Sequence, residues 1–210
     1  MFDPHALLLF VAAGLVLNFT PGPDLLYITA RSLGQGWPAG AASSLGIAAG
    51  CLVHTAAAAL GVSVLLAASP LAYDVLRLCG AAYLIWLGAQ SLRSRDAPGP
   101  IAQLPPDSLR KVFWQGFATN VLNPKVALFF LAFLPQFADP ARGAFALQVL
   151  VLGLIFIVNG LWVCLLVARS AAAMAGWARR RAGAITWIQR GSGALLVGLG
   201  LHLAVNGRQA

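Results

Sequence analysis

Six long apolar runs, separated by short polar or basic stretches, set the pattern of this chain. They fall at about Ala6–Ala30, Ala39–Ala67, Leu71–Leu92, Val112–Leu134, Ala144–Ala168 and Ala184–Val205. A helix crosses a bilayer with about 20 predominantly apolar residues, so each run predicts a span. The first run is interrupted. Asn18-Phe19-Thr20-Pro21-Gly22-Pro23-Asp24 sets two prolines, a glycine and a carboxylate between apolar flanks. Proline removes a backbone donor and stops the helix. In hydrocarbon the freed backbone groups cost several kcal/mol each unless protein or a wet cavity satisfies them. A carboxylate at that depth costs roughly 2.5–3.5 kcal/mol more on insertion scales. A sequence that accepts both penalties in one place points to a binding site there.

The fourth run carries a matching break, Asn120 followed by Asn123-Pro124-Lys125. The third run contains Arg77-x-x-Gly80 with Tyr83-Leu84 and Gly88; the sixth contains Arg190-x-x-Gly193 with Leu195-Leu196 and Gly200. Two halves of three spans each, an odd number, must be inverted relative to one another. The pattern therefore predicts an all-α polytopic membrane protein: six transmembrane helices as two inverted three-helix repeats, with the first and fourth helices broken. Such repeats are a transporter signature, with the site expected near the midplane between the breaks. Residues 1–210 form one transmembrane domain, comprising a first repeat at 1–92, a proline-rich linker at 93–110 and a second repeat at 111–206.

Composition agrees: 60% of the residues are hydrophobic and 10% charged, against about a quarter charged in soluble domains. The net charge of +8 does not imply nucleic acid, because the basic residues sit between the apolar runs. Arg31, then Arg93, Arg95, Arg110 and Lys111, then Arg179, Arg180 and Arg181 share one side of a six-span chain. The positive-inside rule makes that side, and the linker, cytoplasmic, with both termini outside. A five-span count, turning on the short loop at Ser69-Pro70, would move one terminus. The N-terminus carries Asp3 and His5 instead of a basic segment, so it reads as a retained first span, not a signal peptide. The run Trp177 to Arg181, with Trp187 beyond, reads as an interfacial anchor on anionic lipid.

Catalysis has little to work with. The chain has no glutamate and six scattered aspartates, and Cys51, Cys79 and Cys164 lie in apolar runs without CxxC spacing. No enzyme activity, metal or cofactor is expected; the cysteines read as small buried hydrophobes. Along the second run, Gly46, Gly50, His54 and Ala58 recur at i, i+4, a ridge that lets helix backbones approach closely.

These residues together resemble the LysE/RhtB family of bacterial amino-acid exporters. The resemblance is carried by Asn18 to Asp24 as N-x-TPGPD, the Gly46/Gly50/His54 ridge, Gly80-Ala-Ala-Tyr83-Leu84 with Gly88, and Phe117 to Lys125 as F-x-x-N-x-x-NPK. Phe129-Phe130 and Pro135-Gln136-Phe137 continue it. It implies a multi-pass inner-membrane exporter of amino acids or related metabolites, of the basic, homoserine/threonine or leucine type, working by proton-coupled antiport. A homo-oligomer is left open, and the alternative is an exporter of another small metabolite or cation.

Candidate substrate or coupling residues are Asn18, Thr20, Pro21, Gly22, Pro23, Asp24, His54, Asn120, Asn123, Pro124 and Lys125. Asp24 either caps the resumed helix or binds an ammonium or the coupling proton. Lys125 either pairs with Asp24, holds a substrate carboxylate, or snorkels to an interface. His54 is either a proton carrier, with an ordinary pKa near 6.5, or a neutral packing partner. The asparagines either satisfy opened backbone or contact substrate. Asn159 and Trp162 of the fifth span either line the same cavity or belong to ordinary helix packing.

Overall fold

A computed structural model describes residues 2–62 and 106–174, together with single positions between 69 and 89 and between 197 and 204. Every element among the described residues is helical. Most of the sixth and third predicted spans and the linker up to residue 105 lie outside them. So do the glycine motifs at Gly80 and Gly88, Arg77, Arg190 and the Trp177–Arg181 run.

Helix α1 runs Pro4–Phe19, and Asp3 caps it by accepting from the N–H groups of His5 and Ala6. It stops because Pro21 offers no N–H to continue the ladder. Thr20 closes the end, its hydroxyl donating to the Val16 carbonyl at 2.7 Å. Helix α2, Pro23–Gln35, restarts after Gly22 with proline at its first position, where the fixed φ favours a new helix. The axes of α1 and α2 differ by 53°. Gly36, at φ 77°, turns the chain into α3, Trp37–Ala57, which ends in a π-helical turn over Ala58–Val62.

The second half repeats the device. Helix α4, Leu109–Val121, starts at a Ser108 cap and ends at Leu122. Asn123 then caps α5, Pro124–Leu128, by accepting from the Lys125 N–H at 3.0 Å. A π-turn, Phe129–Phe133, and a 3-10 turn, Leu134–Phe137, carry α5 onward at 50° to α4. Helix α6 spans Phe145–Ala173 without a break. Trp37–Gly61 and Phe145–Ala173 are each long and apolar enough to cross a membrane, and each bent pair passes the same test as one span. That makes up to four of the predicted spans among the described residues.

The ridge on α3 packs against α4. A Cβ at Gly46 would run into the Phe113 carbonyl, and one at Gly116 would lie 2.7 Å from the Ser43 carbonyl. The backbones therefore meet with nothing between them, the contact expected of small residues at this spacing. At the end opposite the linker, aromatic rings fill the core. Phe129 lies 4.9 Å from Phe156 and 5.0 Å from Phe133, while Phe10 meets Phe137 at 5.3 Å. Leu8, Leu45, Leu154 and Leu166 point outward, as side chains facing lipid do.

The glycine ridge yields a paired prediction. A Cβ at Gly50 would stand 2.8 Å from both Cβ and Oδ1 of Asn120, whereas Gly61 has nothing within 4 Å. Overpacking costs about 1–3 kcal/mol. Gly50→Val is expected to lower the melting temperature of the detergent-solubilised protein by several degrees, and Gly61→Val to leave it unchanged, in a tryptophan-fluorescence melt.

Candidate functional site

The two breaks face each other across a cavity with about 30 Å³ open to the centres of water molecules, room for a few waters. Asn18 and Asp24 reach it from the first break, Asn120 and Lys125 from the second. The remaining wall is largely apolar: Ile47 and Cys51 from α3, Phe156 and Cys164 from α6. Trp162 is 66% exposed and points away, so the fifth-span wall is Phe156, Gly160 and Cys164 instead of the expected Asn159 and Trp162.

Lys125 is the donor that closes the first break. Only 5% exposed, it donates from Nζ to the carbonyls of Leu17 at 3.2 Å and Thr20 at 2.9 Å. These oxygens end α1, where Pro21 and Pro23 supply no N–H; the Leu17 oxygen is otherwise met only by the Thr20 N–H, at 3.2 Å. Gly22 leaves room for the approach: a Cβ there would sit 3.1 Å from the Lys125 nitrogen and push it by a few tenths of an ångström. Snorkelling is excluded by burial. The ammonium forms no direct ion pair with Asp24; its partners are backbone oxygens.

Asn120 closes the second break and ties it to the first. Its Nδ2 donates to Asp24 Oδ2 at 2.8 Å, and its backbone carbonyl lies 3.0 Å from His54 Nε2. A carbonyl only accepts, so that ring nitrogen carries the hydrogen. Asp24 is 8% exposed, and its carboxylate takes no N–H of α2, so it is not a helix cap. Four side-chain atoms around the breaks are buried without a hydrogen-bond partner: Asp24 Oδ1, Asn120 Oδ1, Asn18 Nδ2 and Asn123 Nδ2. Buried polar atoms in folded proteins are almost all paired, so this concentration sets the breaks apart from the rest of the core. Of the sequence-predicted residues, Asn18, Asp24, Asn120 and Lys125 line the cavity. His54, Thr20 and Gly22 touch it through Asn120 and Lys125, and Pro21, Pro23, Asn123 and Pro124 shape the breaks.

A second cluster, at the linker end, escaped sequence reasoning. Arg31 on α2 is 3% exposed. It donates to Asp107 Oδ2 at 2.7 Å, Gln115 Oε1 at 2.7 Å and Gln35 Oε1 at 2.8 Å. The Tyr27 hydroxyl donates to Gln115 Oε1 at 2.9 Å, and Gln35 Nε2 to the Asp107 carbonyl at 2.8 Å. Lys111 adds an ion pair to Asp107 at 2.8 Å. This knot joins the second half of one broken helix to the first half of the other. Arg31 had counted only as a cytoplasmic charge; the readable sign was Asp107 at i, i+4 from Lys111.

Comparison with known proteins supports what the geometry shows. The LysE type translocator model matches residues 15–207. An uncharacterised membrane protein of Pseudomonas aeruginosa is 35% identical over 88% of each chain. A homoserine/homoserine lactone efflux protein of Salmonella typhi is 31% identical over 80% of this chain and 81% of its own. A leucine efflux protein of Salmonella choleraesuis is 28% identical over 62% of each. No solved structure matches. The chain belongs to the LysE type translocator family.

The knot predicts an acid limb of stability. The Lys111 ammonium first, and the Arg31 guanidinium with it, hold the Asp107 carboxyl below the usual carboxylate range. A depressed folded pKa contributes stability above the unfolded value near 3.9 and loses it as pH falls through the folded one. Asp107→Asn is expected to melt lower than the parent at pH 7, and the gap is expected to narrow below about pH 4, followed by thermal melts in detergent.

Proposed function

We propose that this translocator exports amino acids across the bacterial inner membrane, by proton-coupled alternating access between two inverted three-helix repeats. The observation that carries the reading is the pair of helix breaks meeting at buried, unpaired polar atoms of both kinds. The cargo's ammonium sits on Asp24 Oδ1 and Asn120 Oδ1. Its carboxylate takes the remaining proton of Lys125 Nζ, the Asn18 amide, and the first N–H groups of α2, which no side chain caps. A helix N-terminus favours an anion there. The relatives named as homoserine and leucine efflux proteins support a zwitterion of this kind.

Coupling follows from competition for Asp24. A carboxylate can hold an ammonium or a proton, and in an apolar cavity it is stabilised by one or the other. Cargo release on the outer side lets a proton take its place; return to the cytoplasmic side releases that proton for the next cargo. His54 holds the Asn120 carbonyl and thereby the orientation of the amide that steadies Asp24. The knot at Arg31 and Asp107 is the cytoplasmic gate, and it must part when that side opens.

Counterflow of radiolabelled amino acids in proteoliposomes tests the assignment. Asp24→Asn and Lys125→Ala, checked for folding by gel filtration, are each expected to cut transport by about tenfold or more, in line with the loss of a buried charged partner. If neither change altered transport that the parent supports, these residues would not form the site.

A further inference from the structure

Resting on that reading of the site, the aspartate inventory narrows the cargo. The chain has no glutamate and six aspartates. Asp3 caps the start of α1, Asp107 is engaged by Arg31 and Lys111, and Asp139 pairs with Arg142 in the turn before α6. Asp96 falls in the linker, and Asp74 falls in the first turn of the third predicted span. Among the described residues, Asp24 is therefore the one acid lining the cavity, and one of its two oxygens is already taken by Asn120. The second unpaired acceptor, Asn120 Oδ1, belongs to the same amide and serves the same pole of the cargo.

Apart from Ser44, the rest of the cavity wall is apolar. Ile47 and Cys51 come from α3, Phe156 and Cys164 from α6, and all four are buried. A second ammonium on the cargo would meet these side chains with no further acid among the described cavity residues. Burying an unpaired charge is strongly unfavourable, whereas an aliphatic or hydroxyalkyl group loses nothing comparable. We infer that the cargo is a monoammonium zwitterion with an uncharged side chain, seated against Ile47, Cys51, Phe156 and Cys164, and that basic amino acids are rejected.

The two cysteines on this wall give a readout independent of transport. In a Cys79→Ser background, purified protein in detergent is treated with methyl methanethiosulfonate, which converts a thiol to its methyl disulfide and releases methanesulfinate, and labelling of Cys51 and Cys164 is followed by mass spectrometry. Leucine or homoserine is expected to slow the labelling, and lysine or arginine to require at least about 30-fold higher concentration for the same protection. Counterflow with the same four compounds is expected to rank them alike. Equal protection and equal counterflow by lysine would overturn the charge selection while leaving the site in place. Protection by none of the four, with no counterflow, would remove the amino-acid site and the inference with it. Counterflow of leucine without protection of either cysteine would place its side chain elsewhere and overturn the assigned wall.

Discussion

The structure depends on how backbone carbonyls are satisfied at two helix ends inside an apolar medium. Breaking a membrane helix leaves oxygens that water cannot reach, and each needs a donor from the protein. At the first break that donor is Lys125, bonded to Leu17 and Thr20. At the second it is His54, on the Asn120 carbonyl, helped by the Asn123 N–H at 2.9 Å. The breaks are thus not independent: the second half of the chain supplies the cation that ends α1. Lys125 can do so because Pro124 starts α5 one residue earlier, with Asn123 as its cap, and because Gly22 leaves space for the ammonium. The motif residues form one construction, in which removing a donor on one side exposes carbonyls on the other.

Around this construction the two ends of the bundle differ in kind. Packed phenylalanine rings fill the end away from the linker, while charged and amide groups joined by short hydrogen bonds hold the linker end. Aromatic packing is non-directional and tolerates small slides. The knot is directional, and its Arg31–Asp107 and Tyr27–Gln115 bonds both run between α2 and the start of the second broken helix, so the opening proposed above would have to break them together. A bistable contact of this type suits a gate, since it holds one state firmly and contributes little once parted.

Much of this was legible in the sequence, for physical reasons that can be named. The breaks at Pro21–Pro23 and Pro124 were visible because proline and buried charge are costly in hydrocarbon, and the family follows from the motifs around them. The i, i+4 glycines of α3 foretold a close helix contact, though not that α4 would be the partner. What the sequence concealed was pairing. Asp24 and Lys125 invited a direct ion pair, yet Asn120 holds the acid and two carbonyls hold the amine. Backbone acceptors have no letter in a sequence, so a lysine destined for carbonyls looks like a lysine seeking a carboxylate. The knot was hidden for a related reason: Arg31 and Asp107 lie 76 positions apart, and each is unremarkable alone.

The separation of Asp24 from Lys125 has a consequence for the transport cycle proposed above. A pair in direct contact would satisfy itself, and a cargo would have to pull it apart before binding. With the amine tied to α1 and the acid tied to Asn120, each charge is held in place while one carboxylate oxygen stays open. Positions fixed in advance lower the cost of binding. A zwitterion entering between them adds no net charge to the site, and each of its poles meets a group already held in place. The second ammonium of a basic amino acid would add a charge that no acid among the described cavity residues offsets. Preorganisation and charge balance therefore come from the same feature, the carbonyl ends of two broken helices that keep the lysine and the aspartate apart.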